Sequence, residues 1–230
     1  MSASLAVGID AAKVGGVLGW VAVALASGRV HGAHFAATLT ELVEWSGDAS
    51  ILAIDIPLGA ARARDASRAE RRCDTLGRAR LGRRRSTLYP IPPLEVLEEP
   101  DHARASALCR ELTGKGVSRQ SHGLRRRILE ALPLRDTGRA FEVHPELSFL
   151  ALTGLPELPP KKTWEGAHLR RGALEAAGIV LPGDLGLAGA APVDDLLDAA
   201  AAAWTAARIA SGEAECLPGD PEPREPVIWI

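Results

Sequence analysis

Short, β-branched apolar runs alternate along this chain with longer segments of helical period. Leu5-Ala6-Val7-Gly8-Ile9 leads into Asp10, and Gly19 to Leu25 follows. Val30 to Phe35 comes after the turn Ala26-Ser27-Gly28-Arg29, whose glycine suits a tight hairpin. Runs this short, bounded by glycine or proline, predict buried strands. Thr40 to Trp45 predicts a helix with Thr38 or Thr40 as its cap. It leads into a fourth strand, Ile51 to Ile56, which contains Asp55 and is ended by Pro57 and Gly59. Strand character resumes over Ala140 to Glu146 and gives way to a short helix, Pro145 to Leu152. A helix over Trp164 to Ala177, capped by Thr163, and a long one from Val193 to about Ala210 complete the pattern, with a Gly/Ala loop between them. The stretch from about 60 to 138 predicts helices only: an arginine-rich one over 60–82 and two more over 98–112 and 118–132. The tail Pro226 to Ile230 reads as an edge strand or a docking segment. The expected fold class is α/β: three antiparallel strands, then helix–strand units, in a single domain over 1–230 with a helical basic insertion at about 60–138.

This order carries acids to conspicuous places. Asp10 is expected at the end of the first strand and Asp55 at the end of the fourth. An acid at a buried strand end is costly without a cation, a metal or water to compensate it. Asp195 and Asp198 are three apart and share one face of the last helix. Asp194 or Asp195 reads equally well as a helix cap, whereas Asp198 lies too deep for that role. Two strand-end acids with an i, i+3 acid pair suit a hard divalent cation, Mg2+ or Mn2+. Glu142 and His144 share one face of the later strand. They read either as metal ligands or proton carriers, or as a polar strand end bonded to its neighbours.

Composition narrows the class. The 230 residues are 47% hydrophobic and 24% charged, as in an ordinary globular protein. The net charge of −2 hides a local excess: residues 62 to 85 hold ten arginines against Asp65, Glu70 and Asp74. The three cysteines, Cys73, Cys109 and Cys216, have no paired spacing and suggest a reducing compartment rather than disulfides or zinc. No signal peptide is recognised, and the alanine-rich stretch 196–210 carries Asp198 and Arg208, so a cytoplasmic protein that does not enter the membrane is expected.

The basic stretch reads two ways. Arginine stems can cover a core while their heads stay solvated, or the guanidiniums can grip phosphate. Arg72 lies in this run, and Arg83-Arg84-Arg85 with Ser86, Thr87 and Tyr89 lies beside a proline-rich segment. That segment is either a rigid surface loop or a backbone-gripping, base-stacking site. Lys13, in the glycine-bearing loop 11–16, and Lys161 and Lys162, before the Thr163 cap, are further candidate phosphate contacts, or belong to a plain turn and a solvated loop.

Several strings extend the pattern in a fixed order: Gly8-Ile9-Asp10, Gly19-Trp20, Ala53-Ile54-Asp55-Ile56-Pro57, Arg72-Cys73-Asp74, Leu81-Gly82, Glu142-Val143-His144-Pro145-Glu146, Lys161-Lys162-Thr163 and Asp194-Asp195-Leu196-Leu197-Asp198-Ala199. In them the chain resembles domain-of-unknown-function family 429, predicted nucleases of the RNase H-like fold. The resemblance implies a metal-dependent nuclease with Asp10, Asp55, Asp195 and Asp198 as metal acids; Glu142 and His144 stand as candidate catalytic groups from the strand reading above. Lys13, Arg72, Arg83, Arg84, Arg85, Tyr89, Lys161 and Lys162 would hold DNA or RNA. The chain departs from the family in Ser86-Thr87-Leu88-Tyr89, where Ser-Ser-Val-Phe is more usual, and in its first loop. Two other classes remain open: a non-catalytic nucleic-acid-binding module, and an actin-like ATPase or sugar-kinase relative. The latter normally has two such domains and a duplicated phosphate loop.

Overall fold

The computed structural model describes residues 5–47, 50–60, 62–63 and 70–230. In chain order its elements are β1 (Ala6–Val14), β2 (Val17–Ala26), β3 (Arg29–Ala36), α1 (Leu39–Ser46), β4 (Ile51–Ile54), α2 (Arg72–Leu81), α3 (Leu94–Glu98), α4 (His102–Thr113), α5 (Arg119–Gly123), α6 (Arg125–Ala131), β5 (Ala140–Glu142), α7 (Pro145–Thr153), α8 (Trp164–Ala176), α9 (Val193–Ser211), β6 (Cys216–Leu217) and β7 (Ile228–Trp229). Turns of 3-10 helix cover Gly82–Thr87, Leu132–Thr137 and Gly186–Ala190.

Two compact units result. The first comprises 1–55, 139–215 and 229–230, and the second comprises 56–138 and 216–228. In the first, a five-stranded mixed sheet runs in the order β3-β2-β1-β4-β5. β1, β2 and β3 are antiparallel neighbours, whereas β4 is parallel to β1 and β5 to β4. The hairpin turns place Gly15 and Gly16 at φ 57° and 87°, and Ser27 and Gly28 at 50° and 75°. Positive φ at both central residues matches the twist of the flanking strands. β1 therefore continues to Val14, with Lys13 opposite Leu18, and does not end at Asp10 as its sequence suggested. Beyond β5, Trp229 bridges Val143 in parallel, so the tail adds to the sheet edge.

α9 lies against β1, β2 and β4. Its inward face is almost all alanine, with Ala199 to Ala203 fully buried. Small side chains let the helix approach the strands closely, and Gly8 marks the nearest point. A Cβ there would stand 2.0 Å from the Ala203 nitrogen and 2.1 Å from the Ala199 oxygen. Both obstacles are backbone, so neither can rotate aside. Gly8→Ala is expected to cost about 3 kcal/mol, at the upper end of overpacking. A guanidinium melt of the variant would check this; an unchanged midpoint would show that the helix can shift.

Thr38 caps α1 by accepting from the Glu41 amide, and Thr163 caps α8 by accepting from the Gly166 amide. Among the described residues no helix is long and apolar enough to cross a membrane.

The second unit is helical but more broken than its sequence suggested. The expected helix 60–82 begins at Arg72, and residues 61 and 64–69, with Arg64 and Arg68, lie outside the described residues. The expected helix 118–132 breaks at Leu124, directly after Gly123. Many arginines are internal fasteners. Arg71 donates to buried Asp74 at 2.9 Å and to the Gly59 carbonyl at 3.1 Å. Arg72 pairs with Asp220 and Glu225, each at 2.9 Å. A local core of Val96, Ala105, Cys109 and Val117 lies beneath the short helices.

Candidate functional site

The parallel register aligns the acids. Ile9 of β1 pairs with Ile54 of β4, and the Asp55 amide donates to the Ile9 carbonyl at 2.9 Å, so Asp10 and Asp55 sit side by side. Ile54 pairs in turn with Glu142 of β5. The acids therefore mark the carboxyl ends of β4 and β5, while β1 runs on. Alternation puts Asp10 on the face of Gly8, beneath α9, and Lys13 on the opposite face, where it is exposed. Lys13 is thus not brought to the acids.

α9 supplies the other side. Pro192 is its N-cap, and no side chain caps it, so neither Asp194 nor Asp195 has that role. Asp198, 2% exposed, lies one turn inside. The Lys161 ammonium, from the segment before α8, hydrogen-bonds the Asp198 carboxylate and stands 3.8 Å from Asp194. Lys162, largely exposed, lies 3.7 Å from Asp194.

Two further charges belong to the site and were not singled out from the sequence. Glu146, in the first turn of α7, is buried and accepts from Arg170 of α8 at 2.8 Å. Arg170 is fully buried; it also donates to the Pro159 and Gly166 carbonyls and lies over the Phe149 ring. Glu146 was visible only as the third polar member of the series 142, 144, 146, and Arg170 as one arginine among many on an amphipathic helix. His144 is buried at the N-cap of α7. The strongest influences on Asp10 and Asp55 come from burial, other carboxylates and Lys161, and His144 is not among them.

Crowding raises the proton affinity of these acids. Burial, then the charges of Asp55, Asp198 and Asp195, push the Asp10 carboxyl well above the ordinary carboxylate range. Burial first, then Asp198, raise Asp55 to about 8, with Lys161 pulling the other way and Glu142 and Glu146 adding to the rise. Asp198 is raised to about 6, mainly by burial, which Lys161 partly offsets. Burial disfavours the Lys161 cation, but Asp198 more than offsets this and its pKa is raised. Carboxyls with raised folded values hold protons that the unfolded chain has released near pH 4. Stability of the metal-free protein therefore falls as pH rises from about 4 through about 8. Asp55→Asn is expected to remove part of that fall, by about 1–2 kcal/mol at pH 8 and near zero at pH 4. Thermal melts in EDTA across that range would test it; equal melting at pH 8 would contradict it.

The donor set suits a hard cation: every candidate acid offers oxygen, and the Asp198 Oδ1 is buried without a hydrogen-bond partner among the described residues. Among the described residues, however, no three carboxylate, histidine or cysteine side chains already converge tightly enough to hold a metal ion. Lys161 acts as the resident counter-ion. Arg72, Arg83, Arg84, Arg85 and Tyr89 all belong to the second unit, where Arg72 is committed to its two carboxylates.

The family model described as a protein of unknown function, DUF429, matches residues 8–223. The chain belongs to this family. The matched span holds every acid described above, from Asp10 to Asp198, so the cluster falls within the family domain. No curated protein and no solved structure matches the chain.

Proposed function

We propose that this member of DUF429 is a divalent-metal-dependent nuclease of RNase H-like architecture, hydrolysing phosphodiester bonds in a nucleic acid. One observation carries the reading: Asp10, Asp55 and Asp198 lie close enough to raise one another's proton affinity, Asp195 adds to the rise of Asp10, and Asp198 keeps a buried oxygen without a partner among the described residues. Buried carboxylates with mutually raised proton affinity are a mark of functional sites. Three antiparallel strands, two parallel ones and an acid-bearing last helix support the RNase H-like assignment.

Asp10, Asp55, Asp195 and Asp198 would hold Mg2+ or Mn2+. A metal held there would supply a water nucleophile at neutral pH and charge stabilisation at the phosphate. The chain's own part is to bring these carboxylates together and keep them in place. The sheet register fixes Asp10 against Asp55, and the close seat of α9 on Gly8 fixes Asp198 above them. Arg170 pairs with Glu146 and restrains it beside the cluster. Lys161 neutralises Asp198 until a stronger cation competes for it.

The Lys161–Asp198 contact favours one rival, a non-catalytic nucleic-acid-binding module in which the lysine balances the acids permanently. The two differ in turnover. Labelled single-stranded, duplex, hybrid and junction substrates, incubated with Mg2+ or Mn2+ and with EDTA, are expected to show cleavage of at least one in metal alone. Salt-sensitive binding with no cleavage of any would favour the rival.

A further inference from the structure

We propose that the second unit carries a single-nucleotide pocket, in which Tyr89 stacks a base and Arg85 grips its phosphate. The inference deepens the nuclease reading by naming the part of a strand that is held, but it rests on a separate set of residues. A cavity of about 510 Å3 opens between α2 and the segment that follows it, lined by Arg78, Arg85, Ser86, Leu88, Tyr89 and Pro90 among others. Its size lies within the range of pockets for small ligands.

The chemistry of the walls selects the ligand. Leu88 and Pro90 are apolar, and Tyr89 offers an aromatic face while only half-buried. Arg78 is fixed: it donates to the Leu88 carbonyl at 3.5 Å and pairs with Glu70, which neutralises it. Arg85 differs. Among the described residues, nothing hydrogen-bonds or ion-pairs with its guanidinium, and the same holds for the Ser86 hydroxyl and the Tyr89 phenol. A cavity that gathers an uncommitted guanidinium, an uncommitted hydroxyl and an aromatic ring against an apolar wall fits a ligand that is flat at one end and anionic at the other. Guanidinium binds phosphate bidentately, and Tyr can stack any base. Inorganic phosphate would meet only Arg85 and Ser86, and a nucleoside only the ring and the apolar wall. A nucleotide engages both.

The test uses the full chain in EDTA with 5′-phosphorylated trinucleotides, DNA and RNA, carrying 2-aminopurine at the first position. Stacking on Tyr89 is expected to quench the probe on binding. Arg85→Ala and Tyr89→Leu should each weaken binding by about tenfold, and Tyr89→Phe by less than about threefold. Removing the 5′-phosphate should reproduce the Arg85→Ala loss in the wild type and add little in that variant. Both side chains are partly or fully exposed, and thermal melts would verify that the variants fold. The proposal is overturned if neither probe is quenched, if Arg85→Ala and Tyr89→Leu bind like wild type, or if inorganic phosphate competes while no quenching occurs. No metal is present, so failure here leaves the acid cluster untouched. Failure of metal-dependent cleavage likewise leaves the pocket standing.

Discussion

Asp10→Asn should abolish metal-dependent cleavage, lowering the rate by more than about a hundredfold, the loss seen when even an outer partner of a metal site is removed. The carboxylate lies beside Asp55 in the parallel register and under α9, 6% exposed, so few other groups can take its place. Asparagine has nearly the same shape, so packing survives. The substitution also removes a carboxyl that burial and the charges of Asp55, Asp198 and Asp195 push well above its ordinary range, so the metal-free variant should melt no lower than wild type at pH 8 and somewhat higher. Loss of cleavage with equal or greater stability separates a catalytic acid from a structural one. Unchanged cleavage by a well-folded variant would sink the assignment of Asp10.

Lys161→Met should act in opposite directions on stability and on metal affinity. The ammonium bonds Asp198 and its field reaches Asp10 and Asp55. Among the described residues, removing it takes away the cation bonded to Asp198, while Arg170 is committed to Glu146 and Lys162, largely exposed, reaches only Asp194. The metal-free variant is expected to lose about 3–5 kcal/mol at pH 8, the cost of breaking a buried pair from one side. The loss should shrink towards pH 4, where the acids are protonated. A divalent cation would no longer compete with the lysine, so its affinity should rise by about tenfold or more. Lys161→Arg, which keeps the charge, should show neither effect in full. Calorimetric titration of Mn2+ into the three proteins would check the affinities; weaker binding by Lys161→Met would mean that the lysine supports the cation rather than standing in for it.

Much of this site was legible in the sequence because its parts are local. Short apolar runs gave the strands, the i, i+3 spacing of Asp195 and Asp198 gave a shared helix face, and Thr38 and Thr163 could be read as caps from their neighbours. Other features depend on partners far along the chain. Arg170 and Glu146 are 24 residues apart, and Arg72 meets Asp220 across 148. No periodicity announces such pairs, which is why Arg72 read as a phosphate contact. The stretch Ala11 to Gly16 resembled a loop because small residues and a lysine hide strand alternation. Pairing with β2 overrides that weak preference and carries β1 to Val14. Lys13 falls on the face opposite the acids through the same effect, since one residue of register decides the face.

The most direct test is a titration of Mg2+ and Mn2+ into wild type and Asp10→Asn at pH 8, followed by thermal shift. If the acid cluster is a metal site, millimolar metal raises the melting temperature of the wild type by several degrees, and by little or nothing in the variant. The rise should be larger at pH 8 than at pH 5, because Asp55 must lose its proton to bind. No shift in the wild type at either pH, with either metal, would contradict the account: the acids would then be balanced by Lys161 and their own protons alone.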